Sequence, residues 1–254
     1  MDPEPFDPEA FERAAAAAPW VRRVVCLAEA DSTNAEALRL AAGGEPSGTV
    51  VVADAQSAGR GRLGRSWWAE PGGSLLASWL IRPELAADRW PALTLVAGLA
   101  AARALIASAG IEVRLKWPND LLIQGRKLGG LLAEADGRGA LVVGLGVNVR
   151  QTEFPDEIAG IATSVVAAGG RLVERSWVLA ATLSSFGARM HHPEAALDEY
   201  RGLCDTLGRE VRVERVGSEP VEGIAHDVAP NGALIVEAES GRVSVSAGDV
   251  QHLR

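Results

Sequence analysis

Beyond Leu207 the chain follows a different pattern from everything before it, and that change constrains the fold more than any other feature. REVRVERV, VEGIAHDVA, ALIVEAE and RVSVSAGDV alternate apolar and polar residues in short runs, joined by Gly, Pro and Asn turns such as Pro230-Asn231-Gly232. A period of two sends successive side chains to opposite faces, so each run predicts a half-buried strand. Together they predict a small β-barrel over residues 208–254. Before Leu207 strands are interspersed with long helical stretches, which predicts a mixed α+β sheet domain over 21–207, preceded by an N-terminal tail, 1–20. With 254 residues the chain is long enough for one sizeable domain plus a small one.

Within the larger part, RRVVCLA predicts a first strand, and the following DSTNAEALRLAA carries a helix-start signature, Thr33 as N-cap with Glu36 three residues on. TVVVADAQ and GGSLLASWLIRP predict two more strands, and Trp90 to Ala109 a helix. EVRLKWPNDLLIQGRKLGGLLAEA then reads as two or three short strands broken at Pro118-Asn119-Asp120 and Gln124-Gly125, and ALVVGLGVNVR as another. Glu174 to Met190 and Pro193 to Leu207 predict closing helices.

Composition excludes some functions. A net charge of −8 and a pI near 5.1 give the molecule no general attraction for a phosphate backbone, so any anion must be met locally, and DNA is not an expected partner. Cys26 and Cys204 have no thiol or histidine at zinc-ligand spacing, and both are expected to be reduced core residues of a cytoplasmic protein. No basic region precedes an apolar run at the start, so no signal peptide is expected. Leu93 to Gly110 is apolar but alanine-rich and interrupted by Arg103, which predicts a buried helix rather than a membrane span. His191, His192, His226 and His252 are expected at surface or turn positions away from the motifs, and Trp20, Trp79, Trp90 and Trp177 in core or domain contacts.

Three segments carry chemistry. In Gln56-Ser-Ala-Gly59-Arg60-Gly61-Arg62-Leu63-Gly64-Arg65-Ser66-Trp67, glycines alternate with arginines directly after a strand. Glycine lets backbone amides approach an anion closely, and arginine adds permanently charged planar donors, so the run reads as an anion-cradling loop. A solvated basic hairpin or a nucleic-acid arm would show the same pattern. No Gly-Lys-Ser/Thr ends the run, and neither its spacing nor the strand after it fits a dinucleotide fingerprint. In Lys116-Trp117-Pro118-Asn119-Asp120 and Arg126-Lys127-Leu128-Gly129-Gly130-Leu131-Leu132-Ala133-Glu134, Lys127 sits between a turn and a Gly-Gly strand, where an ammonium can stand beside a compact ligand. Singly, such lysines are more often strand-surface charges. In Gly144-Leu145-Gly146-Val147-Asn148 the glycines open space and Asn148 brings a donor and an acceptor, although a β-bulge has the same signature. Ser32-Thr33-Asn34 alone reads as a helix cap.

Taken in order, STN, GRGRxGRxW, KWPND, RKLGG and GxGxN resemble the biotin protein ligases, over roughly residues 25 to 254. The resemblance implies a catalytic domain of the biotin/lipoate ligase type followed by a small SH3-like β-barrel. It implies ATP-dependent activation of biotin to an acyl adenylate, with Mg²⁺ held mainly through the phosphates, and transfer to a lysine of a biotin carboxyl carrier domain. It assigns biotin to Ser32, Thr33, Asn34, Gln56, Gly59, Arg60, Lys127, Gly129, Gly130, Gly144 and Gly146. It assigns ATP and the adenylate to Arg62, Gly64, Arg65, Trp67, Lys116, Asn119, Asp120 and Asn148. Lys127, Arg62 and Arg60 then carry the catalytic charge, and Asp120 stands open between a base, a metal ligand and a turn residue. The family loop often reads Gly-Arg-Gly-Arg-Arg-Gly, whereas this chain has Leu63 at the fifth position, which puts tight retention of the adenylate in question. The short start leaves no room for the winged helix-turn-helix of bifunctional members. A lipoate ligase and a non-catalytic nucleic-acid binder are the rival readings.

Overall fold

A computed structural model describes residues 6–253. Helix α1 (Pro8–Ala15) leads into strand β1 (Arg23–Ala30), helix α2 (Thr33–Ala42), β2 (Thr49–Gln56) and β3 (Ser74–Ile81). Helix α3 (Trp90–Ala109) is followed by β4 (Arg114–Lys116), β5 (Asp120–Ile123), β6 (Arg126–Ala135), β7 (Leu141–Asn148) and the short helix α4 (Asp156–Ala159). These strands form one seven-stranded sheet in the order β1-β2-β3-β7-β6-β5-β4. Only β1 and β2 run parallel, joined across α2; every other pairing is antiparallel, which makes the sheet mixed.

The strand period sorts side chains between two helix layers. Val50, Val52, Ala77, Trp79 and Ile81 belong to the main core with α3 and with α5 (Arg175–Gly187), whereas Val51, Leu80 and Val142 pack with Ala37 and Ala41 of α2. All eight residues of β3 are therefore buried. Helix α3 is apolar on most of its circumference, Arg103 and Ala107 marking its exposed strip, because α5, the short helix α6 (Leu197–Leu203) and β6 all pack on it. By length and composition the stretch Ala87–Ala109 could cross a membrane, but most of it is buried inside the fold. Pro91 sits in its first turn and Gly110, at φ 67°, ends it in the left-handed conformation.

Part of the expected tail is α1. Asp7 caps it through Ala10 N at 3.1 Å, Pro8 is in the first turn, and Phe11 and Ala15 are buried against β1 and α5. Asp-Pro ahead of a Phe11, Ala15, Ala18 spacing was the available signal, hidden by acidic and alanine-rich composition. Cys26 also departs from expectation: it is half-buried, its thiol facing Pro8 O at 3.7 Å, and burial followed by the charge of Glu12 pushes its pKa to about 11. Cys204 is buried as expected. Trp79 is fully buried and Trp20 and Trp90 pack on the core, but Trp177 is exposed on α5.

After α6, strands β8 (Glu210–Arg215), β9 (Ser218–Val228), β10 (Leu234–Ala238), β11 (Gly241–Val245) and β12 (Asp249–His252) form an antiparallel sheet in the order β11-β10-β9-β8-β12. Its outer strands, β11 and β12, are not paired with each other. It is fastened to the larger domain by Trp117, buried in the turn after β4, whose indole donates to Gly232 O at 2.9 Å, and by Arg201 of α6, which reaches Asp227 and Val228 O.

Candidate active site

The site lies at the end of the large sheet where β2 leaves at Gln56. Ser32, the N-cap of α2, makes no side-chain cap bond, and Thr33 turns its hydroxyl inward instead of capping. Gln56 Oε1 accepts from Thr33 N at 2.7 Å and lies 3.1 Å from Thr33 Oγ1. Beneath them, Ser78 of β3 donates to Asn34 Oδ1 at 2.6 Å, so toward Thr33 Oγ1, 2.8 Å away, its oxygen can only accept. Asn34 spends both amide hydrogens on Leu132 O, at 3.0 Å, and Glu134, at 2.7 Å. Asn34 is thus fully engaged within the protein, while Ser32 Oγ and Gln56 Nε2 have no partner among the described residues and line the cavity.

Two glycines of β7 make this arrangement possible. A Cβ on Gly144 would stand 2.0 Å from Asn34 Oδ1, and one on Gly146 would stand 2.7 Å from the Trp67 ring. Trp67 accordingly packs its indole directly against Gly146, its buried Nε1 without a hydrogen-bond partner among the described residues. Lys127 enters from β6, its backbone held between Ile161 O and Thr163 N at 2.7 and 2.8 Å. Its ammonium donates to Asp120 Oδ1 at 2.6 Å and lies 5.8 Å from the Trp67 ring.

The glycine-arginine run is a hairpin, pinned by Gly61 N to Arg65 O and Trp67 N to Gly59 O, with Leu63 exposed at its tip at φ 56°. Each of the three arginines is committed to the protein: Arg60 to Glu134 at 3.2 Å, Arg62 to Asn119 Oδ1 and Gly248 O at 3.2 and 3.1 Å, and Arg65 to both oxygens of Asp249. These groups surround a cavity of about 110 Å³. A larger one, about 560 Å³, continues past Trp67, Asp120 and Lys127 toward Lys116, Phe154, Asp205 and His252.

Residues 28–150 match the Biotin/lipoate A/B protein ligase family, and residues 206–253 the Biotin protein ligase C terminal domain. The biotin--[acetyl-CoA-carboxylase] ligase of Mycobacterium tuberculosis is 39% identical over 92% of this chain and 90% of its own length. The chain belongs to the biotin protein ligase family. It is also similar to the bifunctional ligase/repressor BirA of Bacillus subtilis, at 35% identity over 87% of this chain and 71% of that protein. Among solved structures, the biotin protein ligase from Aquifex aeolicus in complex with biotin and ATP superposes with a TM-score of 0.80 at 31% identity, covering 92% of this chain and 99% of that one.

In this member of the biotin protein ligase family, Ser32, Thr33, Asn34, Gln56, Arg60, Lys127, Gly130, Gly144 and Gly146 all line the first cavity, together with Arg62, Arg65, Trp67, Asn119 and Asp120. Gly59 and Gly129 stand behind the wall: a Cβ would meet Trp67 O at 2.6 Å in one case and Gly146 O at 2.7 Å in the other. Gly64 lies at the hairpin tip with open space around it. Lys116 and Asn148 line only the second cavity, and the Asn148 amide is already held by Thr163 O, Ser74 and Gln151.

Three side chains of this biotin ligase site escaped the motifs, Ser78, Asp249 and His252, while Glu134 lay inside the Lys127 segment with no role assigned to it. His252, expected away from the loops, lines the second cavity; burial, then the charges of Lys116 and Arg209, hold its pKa below the usual 6.5 against the pull of Asp205. Burial alone would raise Asp249, but its bonds to Arg65 and the charges of Arg65, Lys116 and Arg62 carry it below the ordinary carboxylate value. Burial lowers the Arg62 guanidinium, opposed by Asp249 and Asp120.

Proposed function

We propose that this chain activates biotin with ATP to biotinyl-5'-AMP and passes the biotinyl group to a lysine of a biotin carboxyl carrier domain. The observation that carries the reading is one cavity with two chemically opposite ends. Ser32 Oγ and Gln56 Nε2 stand unpaired at the end where Asn34 and Arg60 share Glu134, and Lys127, Arg62 and Arg65, tied to Asp120, Asn119 and Asp249, gather at the other. A flat cyclic urea with fixed acceptors and donors suits the first end, and a carboxylate meeting a phosphate suits the second.

In the first step a biotin carboxylate oxygen bonds to the α-phosphorus of ATP while the bond to pyrophosphate breaks. Charge builds on the α-phosphate oxygens, where the Lys127 ammonium is held and aimed by Asp120 and by a backbone pinned on both sides. In the second step the acceptor amine, having lost its proton, attacks the mixed-anhydride carbonyl and AMP leaves. Positioning and charge suffice, and no enzyme nucleophile is required. No group of three or more His, Cys, Asp or Glu that could hold a metal occurs among the described residues, and Mg²⁺ accompanying ATP would rest mainly on phosphate oxygens, with Asp120 the carboxylate beside Lys127.

Lipoate shares the carboxylate but has a dithiolane in place of the urea, and would leave Gln56 Nε2 and Ser32 Oγ unpaired, the type of loss by which polar sites discriminate most strongly. The acidic surface disfavours operator DNA as a partner. The test is incubation with Mg-ATP, an acceptor carrier domain and labelled biotin or labelled lipoate. Label should reach the acceptor lysine only with biotin and ATP together; labelling by lipoate and not by biotin would contradict the reading.

A further inference from the structure

Each cation that lines the first cavity is paired with an acceptor of the chain itself: Lys127 with Asp120, Arg60 with Glu134, Arg62 with Asn119 and Gly248 O, and Arg65 with Asp249. Three of these arrangements lean on the large sheet. The fourth does not, because Asp249 begins β12 of the C-terminal sheet, and Arg62 also reaches that domain through Gly248 O, just before the strand. Two of the three hairpin arginines are thus tied to the other domain, and Asp249 faces both cavities.

We infer that Asp249 is a positioning residue that sets the affinity for the polyphosphate, by occupying Arg65 in the ligand-free protein and surrendering it when the nucleotide arrives. The inference rests on the ATP-dependent reading above. A carboxylate that grips a guanidinium through both oxygens offers the same planar two-point match as a phosphate, so the two compete for one partner. Asp249 also places a negative charge beside Lys116 and Arg62, where it repels the incoming phosphates as well as neutralising the cations that would receive them. The small sheet is then part of the nucleotide apparatus: it clamps the hairpin when the site is empty and opposes ATP until Arg65 changes partner.

Removing the charge with Asp249→Asn keeps size and leaves a hydrogen-bond acceptor. The Arg65 side chain is 61% exposed and that of Asp249 33% exposed, so the pair is screened by solvent. The expected result is an apparent KM for ATP lower by about two- to five-fold at low salt, the range typical of a partly exposed ion pair, with the KM for biotin unchanged. The gain should shrink as salt is raised and vanish in an Arg65→Gln background, a coupling that a purely structural role for Asp249 would not produce. An ATP KM that is unchanged or raised, or a fall that persists without Arg65, overturns the inference.

Trypsin cleavage within residues 59–67 of the ligand-free protein separates this from the activity itself. D249N should be cut faster than wild type even if wild type proved to have no biotin-dependent activity, and equal cleavage removes the clamp. Should D249N fail to fold, R65Q tests the same pair from its other side by cleavage at Arg60 and Arg62, faster cleavage supporting the clamp and unchanged cleavage refuting it.

Discussion

A methyl group at position 144 would stand 2.0 Å from Asn34 Oδ1, and nothing nearby can yield, because Asn34 is held by Ser78, Leu132 O and Glu134 at once. Gly144→Ala is therefore expected to cost about 1 to 3 kcal/mol as an overpacking change and to weaken biotin binding more than ATP binding. Calorimetric titration of each ligand, with thermal unfolding alongside, checks both parts. Lys127→Ala should slow adenylate formation by about 10² to 10³, the usual loss on removing one preorganised charge donor, and should slow transfer from synthetic biotinyl adenylate less. Equal losses in both steps would place Lys127 elsewhere in the mechanism. Much of this was legible in residue order, since Lys127, Thr33, Gln56 and the arginines sit in compact runs. Ser78 was not, because a serine in an apolar strand carries no signal until α2 is laid across it. Asp249 was hidden for the same reason, its partner Arg65 being 184 residues away in sequence, and Glu134, although inside the Lys127 segment, showed no role because its partner Arg60 is 74 residues away.

Among elements, the hairpin from Gly59 to Trp67 is held largely by side-chain contacts that a ligand can replace. It rests on side-chain contacts from three arginines and on Trp67 over Gly146, all exchangeable for ligand contacts, and its exposed Leu63 sits in the left-handed region that β- and γ-branched residues seldom adopt. Biotin and ATP together should protect it from trypsin far better than ATP alone; cleavage at Arg60, Arg62 and Arg65 that ignores ligands would show that it does not close. The strands and α3 were readable because period and turn residues agree. Helix α1 was not, since its single large apolar residue, Phe11, gives weak periodicity and only packing on α5 and β1 makes it a stable helix. Nor was the Thr33 cap, where a sequence signature for capping lost to the stronger demand of Gln56 and Ser78 for the hydroxyl.

At the scale of the whole molecule, the two sheets meet through Trp117, Arg201 and the Arg65–Asp249 pair, and His252 sits in the same crevice, 3.3 Å from Thr206. Its folded pKa lies below 6.5, so the unfolded chain binds the proton more readily. Stability is then fully present above pH 6.5 and lost as pH falls from there toward the lowered folded pKa. His252→Gln should flatten that part of the stability profile in thermal unfolding from pH 7.5 to 5; an unchanged slope would assign the acid sensitivity to another group. The acidic surface predicts no salt-sensitive, sequence-selective retardation of DNA fragments by the purified protein. The central claim is that one cavity joins biotin to the α-phosphate of ATP, and biotin-dependent exchange of labelled pyrophosphate into ATP reads that step without any acceptor. Exchange should require biotin, persist in the absence of a carrier domain, and collapse in Lys127→Ala. Exchange that proceeds equally without biotin, or that is supported by lipoate and not by biotin, would contradict the account.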